Sequence, residues 1–538
     1  MKDPRQLTFT VLFILANVLA LLPPVQSLGS SGLRLPPRPL DGPQVMTQNG
    51  SLQGVTERPG LWSFKGIPYA AAPLGDFRFK EPQPVKNWKG LRMADRFAPK
   101  AMQQPVFSDM RFRSNGTSED CLYLNVWTPA GAKTKKLPVL VYFYGGGFIG
   151  GDGSEYRYDG ASLAARGLVT VTVNYRLGIF GFFAHPGLSA ESPHHASGNY
   201  GLLDQSAALR WVQQNIAAFG GDAQKVTIAG ESAGSISVFA QMASPLSKNL
   251  IAGAIGESGG MIKPTFPTTS LHDGEQQGIA FLQHIHVKSI IDLRALDAVK
   301  LLELASQEHE RLKPLVDNYF FPDVPAKIFA DGRQAKVPLL VGWNSAESNY
   351  KSIINEPVTV QGYIDSMQKI FSSNAAEALR QYAGTTPDQI RTSATDLASD
   401  RFIVYSTWKW ADLQAKTSQQ HVYRYLFSRI RLMAAERSHP QGGPRGAGHS
   451  SEIEYALGNL QTNPVYDWNQ NDIKVSDLIE TYFANFIKTG NPNGPGLPEW
   501  KPLDPRSSPA RYLNIDVAPK METDLKESRY HFLEKIYR

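Results

Sequence analysis

A serine set between two glycines, directly after a β-branched run and directly before a helix-forming one, constrains this chain more than any other feature. The stretch is Val226-Thr227-Ile228-Ala229-Gly230-Glu231-Ser232-Ala233-Gly234-Ser235. A strand that turns into a helix over so few residues strains the backbone at the apex, and only glycine-sized neighbours let the two segments pass. Such a nucleophile elbow lifts the Ser232 hydroxyl clear of a sheet, with a helix N-terminus beneath it. Composition alone gives on the order of 0.2 chance matches to G-x-S-x-G in a chain of this length, so context has to decide. A second match, Gly256-Glu257-Ser258-Gly259-Gly260, runs into Met261, Ile262, Lys263 and Pro264, a poor start for a helix. After Ser232, small residues and then apolar ones at helical spacing continue to Ala243. Ser232 is the expected nucleophile, and Ser258 the expected end of the next strand.

Apolar runs of strand length recur at residues 137–144, 168–174, 225–229, 250–255, 337–341 and 421–427. Between the second and third, residues 203–219 carry Leu209, Val212 and Ile216 in helical register. This alternation implies an α/β fold with a large, mostly parallel central sheet and helices on both faces. Reactive residues of such sheets collect at the carboxyl ends of the strands. Residues 272–313 and 361–418 are polar and helix-favouring. We read them as helical insertions over the rim of the site rather than as separate domains.

The chain opens with Met1-Lys2-Asp3-Pro4-Arg5, an apolar run over 7–22, and small residues up to Ser27. These are the parts of a secretory signal peptide, read as residues 1–27, ahead of a Pro-rich leader at 28–44 and one domain over 45–538. Thr10, Asn17 and the stop at Pro23-Pro24 make the apolar run short for a membrane anchor. Export is therefore expected, to the outside or to a periplasm, with no stable anchor. The net charge of +6 is spread without a block of Lys or Arg, so nucleic-acid binding is not indicated. Cys121 is the only cysteine, which excludes an internal disulfide and thiolate metal clusters. Asn49-Gly50-Ser51 and Asn115-Gly116-Thr117 are glycosylation sequons should the host be eukaryotic.

A serine hydroxyl attacks only when an imidazole takes its proton, and the imidazole needs a carboxylate to fix its tautomer. The apolar run 337–341 leads through Gly342-Trp343-Asn344-Ser345-Ala346 to Glu347, the expected acid. A Gly/Pro-rich stretch from Met433 ends in Gly446-Ala447-Gly448-His449, and His449 is the expected general base. Glu452 competes for the acid role, although its place before an apolar turn suits a brace better. Tyr144-Gly145-Gly146-Gly147-Phe148 closes an apolar strand upstream of the elbow, where backbone amides for an oxyanion belong. Gly146, Gly147 and Ala233 are the expected donors. Gly145-x-Gly147-x-x-Gly150 also spells a dinucleotide fingerprint, but Gly150-Gly151-Asp152-Gly153-Ser154 is no helix opening, and the next strand ends in Asn174 rather than a carboxylate. His284, His286, His194 and His195 lack metal-ligand partners, so neither a metal nor a cofactor is expected.

With these pieces in order, the chain resembles the type-B carboxylesterases, the α/β-hydrolase family that includes cholinesterases and related lipases. The likeness runs from about residue 45 to the C-terminus. It is carried by Phe64-Lys65-Gly66-Ile67-Pro68-Tyr69-Ala70, Glu119-Asp120-Cys121-Leu122-Tyr123-Leu124-Asn125-Val126 and Asn174-Tyr175-Arg176-Leu177-Gly178. Gly198-Asn199-Tyr200-Gly201-Leu202-Leu203-Asp204-Gln205, Tyr482-Phe483-Ala484-Asn485-Phe486 and Thr489-Gly490-Asn491-Pro492 extend it. The resemblance places the family's triad on Ser232, Glu347 and His449, and its oxyanion donors on Gly146, Gly147 and Ala233. It implies hydrolysis of small-molecule carboxylic esters through an acyl-enzyme, with aryl, lipid, choline or fumonisin-type polycarboxylate esters as substrate classes. A catalytically silent adhesion protein on the same fold is the contrasting class, against which all three triad positions weigh. Tyr144 stands where many carboxylesterases have histidine and resembles cholinesterases there. Met102 stands where the family pairs a second cysteine with the one matching Cys121, so the loop between them is expected to be unpinned.

Overall fold

The protein is described here from a computed structural model that covers residues 42–308, 312–431 and 445–537. The expected signal peptide and nearly all of the Pro-rich leader lie outside the described residues, as does most of the Gly/Pro-rich stretch before His449. An 11-stranded sheet organises the rest. Its strands in chain order are β1 (Val55–Arg58), β2 (Leu61–Pro68), β3 (Tyr123–Pro129), β4 (Leu137–Phe143), β5 (Val169–Val173) and β6 (Gly221–Glu231). There follow β7 (Gly253–Glu257), β8 (Leu339–Asn344), β9 (Val422–Phe427), β10 (Arg511–Ile515) and β11 (Lys520–Thr523). The spatial order is β11-β10-β9-β8-β7-β6-β4-β5-β3-β2-β1. From β5 to β10 every pairing is parallel, and antiparallel strands flank this block at both ends. A separate three-stranded sheet joins Gln44–Thr47, Gly50–Gln53 and Leu91–Met93.

Every residue of β5, β7 and β8 is buried, whichever face it points to. Burial on both sides requires helices on both sides, as the unbroken apolar runs predicted. All six of those runs become strands of the parallel block, with edges moved by local chemistry. Pro338 cannot donate to a ladder, so β8 begins at Leu339 and continues to Asn344 instead of stopping at 341. Leu250 is held in a turn by Ser247, which delays β7 to Gly253.

The helix predicted at 203–219 starts earlier, as α1 (Tyr200–Asn215), and tightens into a 3-10 turn at Ile216–Phe219. Helix α2 (Ala233–Ala243) is fully buried against β6 and β7. The first insertion folds as α3 (Leu271–His284), α4 (Ile290–Ala295) and α5 (Ala298–Ser306). There α3 brings Gly274 against Leu315 and Gly278 against Ala184. The second forms α6 (Val360–Phe371), α7 (Ala375–Gln381), α8 (Pro387–Ser399) and α9 (Tyr405–Thr417), and its Phe402 reaches the rim of the site. Helix α10 (Gln470–Thr489) packs on β4 and β6. Among the described residues no helix is long and apolar enough to cross a membrane.

Candidate active site

Ser232 sits at the joint of β6 and α2 with φ 55° and ψ −119°, a conformation that L-residues rarely adopt. The flanking glycines have no room for a side chain. A Cβ on Gly234 would lie 2.0 Å from the Phe143 carbonyl oxygen, and one on Gly230 would lie 2.5 Å from the same atom. The turn is pinned by the Ser232 N–H, which donates to the Glu257 carbonyl at 2.8 Å.

His449 Nε2 lies 2.9 Å from Ser232 Oγ, and its Nδ1 lies 2.7 Å from Glu347 Oε2. These three residues are separated by more than a hundred positions in the chain. Two hydrogen bonds clasp the loops that bring Glu347 and His449 together: Ala346 N–H to the Ala447 carbonyl (2.8 Å) and Ala447 N–H to Ser345 Oγ (2.9 Å). The Glu347 carboxylate is closed off from solvent, whereas the His449 side chain keeps 27% of its exposure, enough to meet an incoming molecule. The remaining oxygen of Glu347, Oε1, accepts from the Asn344 N–H at 2.6 Å and from Ser258 Oγ at 2.5 Å.

The second serine match therefore also reaches the site, by a route that sequence reasoning missed. Ser258 follows directly on β7 with φ 57°, a second strained corner without a helix behind it. Glu452, left open as a competing acid, accepts from Asn344 Nδ2 at 2.6 Å and lies 3.4 Å from Ser258 Oγ. It braces the loop that carries Glu347 and does not take Glu347's place on His449 Nδ1.

Two further glutamates went unread. Glu231 Oε1 stands 3.3 Å from His449 Nε2. Glu257, paired in register with Glu231 on the neighbouring strand, is buried with no hydrogen-bond partner on either carboxyl oxygen among the described residues. A signal was present, because both serines are preceded by Gly-Glu, at Gly230-Glu231 and Gly256-Glu257.

So many carboxylates around one imidazole displace each other's titration. Burial opposes charge on His449, yet Glu231 and Glu347, followed by Glu452, outweigh it and hold the imidazole up at about 9. Burial, reinforced by Glu452 and Glu231, pushes the Glu257 carboxyl well above the ordinary range. Glu231 is also raised, by burial first, with His449 pulling the other way.

The glycine loop runs beside Ser232, since a Cβ on Gly145 would lie 3.2 Å from Ser232 Cβ. Gly146 and Gly147 take φ of 105° and 61°. The N–H groups of Gly146, Gly147 and Ala233 have no acceptor among the described residues, so three donors stay free beside the hydroxyl. Tyr144 is turned away and buried, its ring stacked on Tyr175 at 4.4 Å and its carbonyl accepting from Tyr175 Oη at 2.6 Å. Cys121 is buried and free, as the missing partner at Met102 predicted. The loop between them is tied by polar bonds instead: Gln103 pairs twice with Gly151 (2.8 and 2.9 Å), and Arg113 holds the Ser154 carbonyl (2.8 Å).

The sequence profile of the carboxylesterase family matches residues 41–533. This chain belongs to the carboxylesterase family. Among its relatives, a fumonisin B1 esterase of Sphingopyxis macrogoltabida is 34% identical, covering 87% of this chain and 86% of the relative. A para-nitrobenzyl esterase of Bacillus subtilis is 35% identical over 84% and 90% of the two chains. A medium-chain fatty acyl-CoA hydrolase precursor of Anas platyrhynchos is 34% identical over 91% of each. Membership makes the chain a carboxylic ester hydrolase of the α/β-hydrolase fold, acting on small-molecule esters.

Proposed function

We propose that the carboxylesterase reaction runs on Ser232, His449 and Glu347 through a covalent acyl-enzyme. His449 Nε2 takes the hydroxyl proton as Ser232 Oγ attacks the ester carbonyl, and Glu347 keeps Nδ1 protonated and offsets the imidazolium charge. The oxyanion draws the free N–H groups of Gly146, Gly147 and Ala233, each such donor being worth about a hundred- to a thousandfold in rate. Collapse of the tetrahedral intermediate breaks the C–O bond, and His449 returns the proton to the departing alkoxide. Water then repeats the sequence and releases the acid. The observation that carries this reading is the unbroken chain of 2.9 and 2.7 Å contacts from hydroxyl to imidazole to carboxylate.

A fluorescent organophosphonate tests it. One label per chain on Ser232, lost in Ser232→Ala and kept in Ser258→Ala, is the expected result; an unlabelled native enzyme would refute the acyl-enzyme.

For the substrate, the fumonisin B1 esterase activity of the Sphingopyxis relative favours a fumonisin-type polycarboxylate ester as a second, narrower reading. A panel of neutral short-chain, long-chain, cationic and polyanionic esters ranked by kcat/KM decides it. We propose further that the chain is exported, on the strength of the charged, apolar and small-residue zones of residues 1–27. Sequencing the N-terminus of the mature protein, expected just after Ser27, tests that.

A further inference from the structure

The loop over residues 102–121 lies against the glycine turn. A Cβ on Gly146 would lie 3.2 Å from Met110 Cε, and one on Gly150 would lie 3.3 Å from the Phe107 ring. With Cys121 the only cysteine, no disulfide closes this loop. Near its start it is held by Gln103. The Gln103 Oε1 accepts from the Gly151 N–H at 2.9 Å, and its Nε2 donates to the carbonyls of Gly151 (2.8 Å) and Ala101 (3.0 Å). The buried carboxamide thus uses its acceptor and both of its donors, and it grips Gly151 by N–H and C=O together.

Gly151 in turn supports the glycine turn. A Cβ on it would lie 2.5 Å from the Gly145 carbonyl oxygen and would meet the Tyr144 ring, so its backbone packs on both. A peptide unit is planar and trans, so its C=O and N–H point opposite ways. The Gly145 carbonyl shares its plane with the Gly146 N–H, and whatever fixes the one sets the direction of the other. Glycines on both sides leave that plane free to rotate unless something holds it. The next plane is held from within the turn, because the Gly146 carbonyl accepts from the N–H groups of Ile149 (3.1 Å) and Gly150 (3.0 Å), which fixes the Gly147 N–H.

We propose that Gln103 is a positioning residue for the oxyanion: through Gly151 it holds the Gly145–Gly146 peptide at the angle that aims the Gly146 N–H at the substrate's carbonyl oxygen. The inference rests on the proposed serine mechanism, which gives that N–H to the oxyanion. Gln103 bonds to neither Ser232 nor His449 and acts through Gly151. Its contribution grows as negative charge develops on the carbonyl oxygen, because a misdirected donor costs little while that oxygen is neutral.

Gln103→Met keeps the length of the side chain and removes all three bonds, and Gln103→Ala removes the packing as well. A phosphonate, given time to saturate, counts functional Ser232 so that rates are read per active site, and thermal melting reports the fold separately. Two ketones with the same alkyl chain probe the native enzyme and both variants. The trifluoromethyl ketone adds Ser232 and carries the oxyanion, whereas the methyl ketone binds without a stable adduct. In both variants kcat/KM for a butyrate ester is expected to fall about ten- to hundredfold, less than for loss of a whole donor, and Ki for the trifluoromethyl ketone to rise by the same factor. The methyl ketone should change by less than about twofold, since the interaction is made only with the charged oxygen. A merely structural part would lower the melting midpoint and the titrated fraction and leave kcat/KM per site unchanged, and that result overturns the inference. Equal weakening of both ketones overturns it too. Where Gln103→Ala does not fold, the volume-matched Gln103→Met decides. A native enzyme that takes up no phosphonate on Ser232 removes the mechanism itself, whereas a labelled native enzyme with variants of unaltered kcat/KM removes this inference alone.

Discussion

Ser258 donates to Glu347 Oε1 at 2.5 Å, on the carboxylate oxygen that His449 does not use. The second serine match thus orients the proposed acid. Among the described residues, Ser258→Ala leaves Oε1 with only the Asn344 N–H. A hydrogen bond to a charged group is worth about 1.5–3 kcal/mol, and a loss of about 1–2 kcal/mol in the transition state lowers kcat roughly five- to thirtyfold. The variant should fold, take up phosphonate and turn over slowly, in contrast to an inert Ser232→Ala. Steady-state kcat per titrated site measures the difference, and a kcat equal to the native value would show that the bond orients nothing.

The residues of the proposed site that the structure brings together were legible because each carries its own local signature. The elbow at Ser232, the strand-end carboxylate Glu347 and the glycine loop at 145–147 are short patterns whose chemistry depends on neighbours in sequence. Glu231, Glu257 and the Ser258 bond depend instead on β6 and β7 lying in register, so that Gly230 faces Gly256 and Glu231 faces Glu257. That alignment comes from tertiary packing, and two similar triplets on separate strands do not declare it. A π-helical turn at Asp400–Val404 was hidden for a related reason. One extra residue inside a continuous helical pattern shifts the register without breaking it. Edges moved where a single residue overrode the run, as Pro338 did for β8.

The elbow's glycines should be far less tolerant than a glycine in a turn. Gly234→Ala would put a methyl group 2.0 Å from the Phe143 carbonyl oxygen, between β4 and the first turn of α2, where both are backbone and neither can yield. We expect a loss of more than about 3 kcal/mol, or insoluble protein. Gly60→Ala is the control: φ is 83° and nothing lies within 4 Å, so only backbone strain of about 1–2 kcal/mol remains. Urea denaturation of the two variants compares them directly, and equal losses would contradict the steric argument.

Glu257 should make the protein less stable as pH rises. Its folded carboxyl titrates well above the unfolded value of 4.5, because burial and two neighbouring glutamates oppose its charge. The folded state therefore holds a proton that the unfolded chain releases, so this stabilisation is complete below the unfolded value and is lost as pH climbs towards the folded one. Glu257→Gln mimics the neutral acid and cannot ionise. Its melting midpoint should match the native one near pH 5 and exceed it at pH 9 by about 2 °C or more. Scanning calorimetry at both pH values checks this, and a variant weakened at pH 9 would mean that the carboxylate is the form the fold prefers.

Catalysis should follow the opposite direction, because the base has to be neutral to accept the Ser232 proton. Glu231 and Glu347 hold the His449 imidazole at about 9 against the opposing effect of burial. The rise of kcat/KM with pH should therefore continue past neutrality instead of levelling where an ordinary histidine would. Glu231 is the lever, since its Oε1 stands 3.3 Å from Nε2 and attracts the imidazolium directly. Glu231→Gln removes that attraction, favours neutral imidazole, and should move the acidic limb down by about one to three pH units, the usual effect of one opposite charge at this range. Glu347 and Glu452, which also favour the charged imidazole, keep the limb from falling to that of a free imidazole. The pH profiles of kcat/KM for native and variant enzyme measure the displacement. A limb unmoved by Glu231→Gln would assign the proton to another group, and a rate flat between about pH 5 and 8 would remove His449 from the base's role altogether.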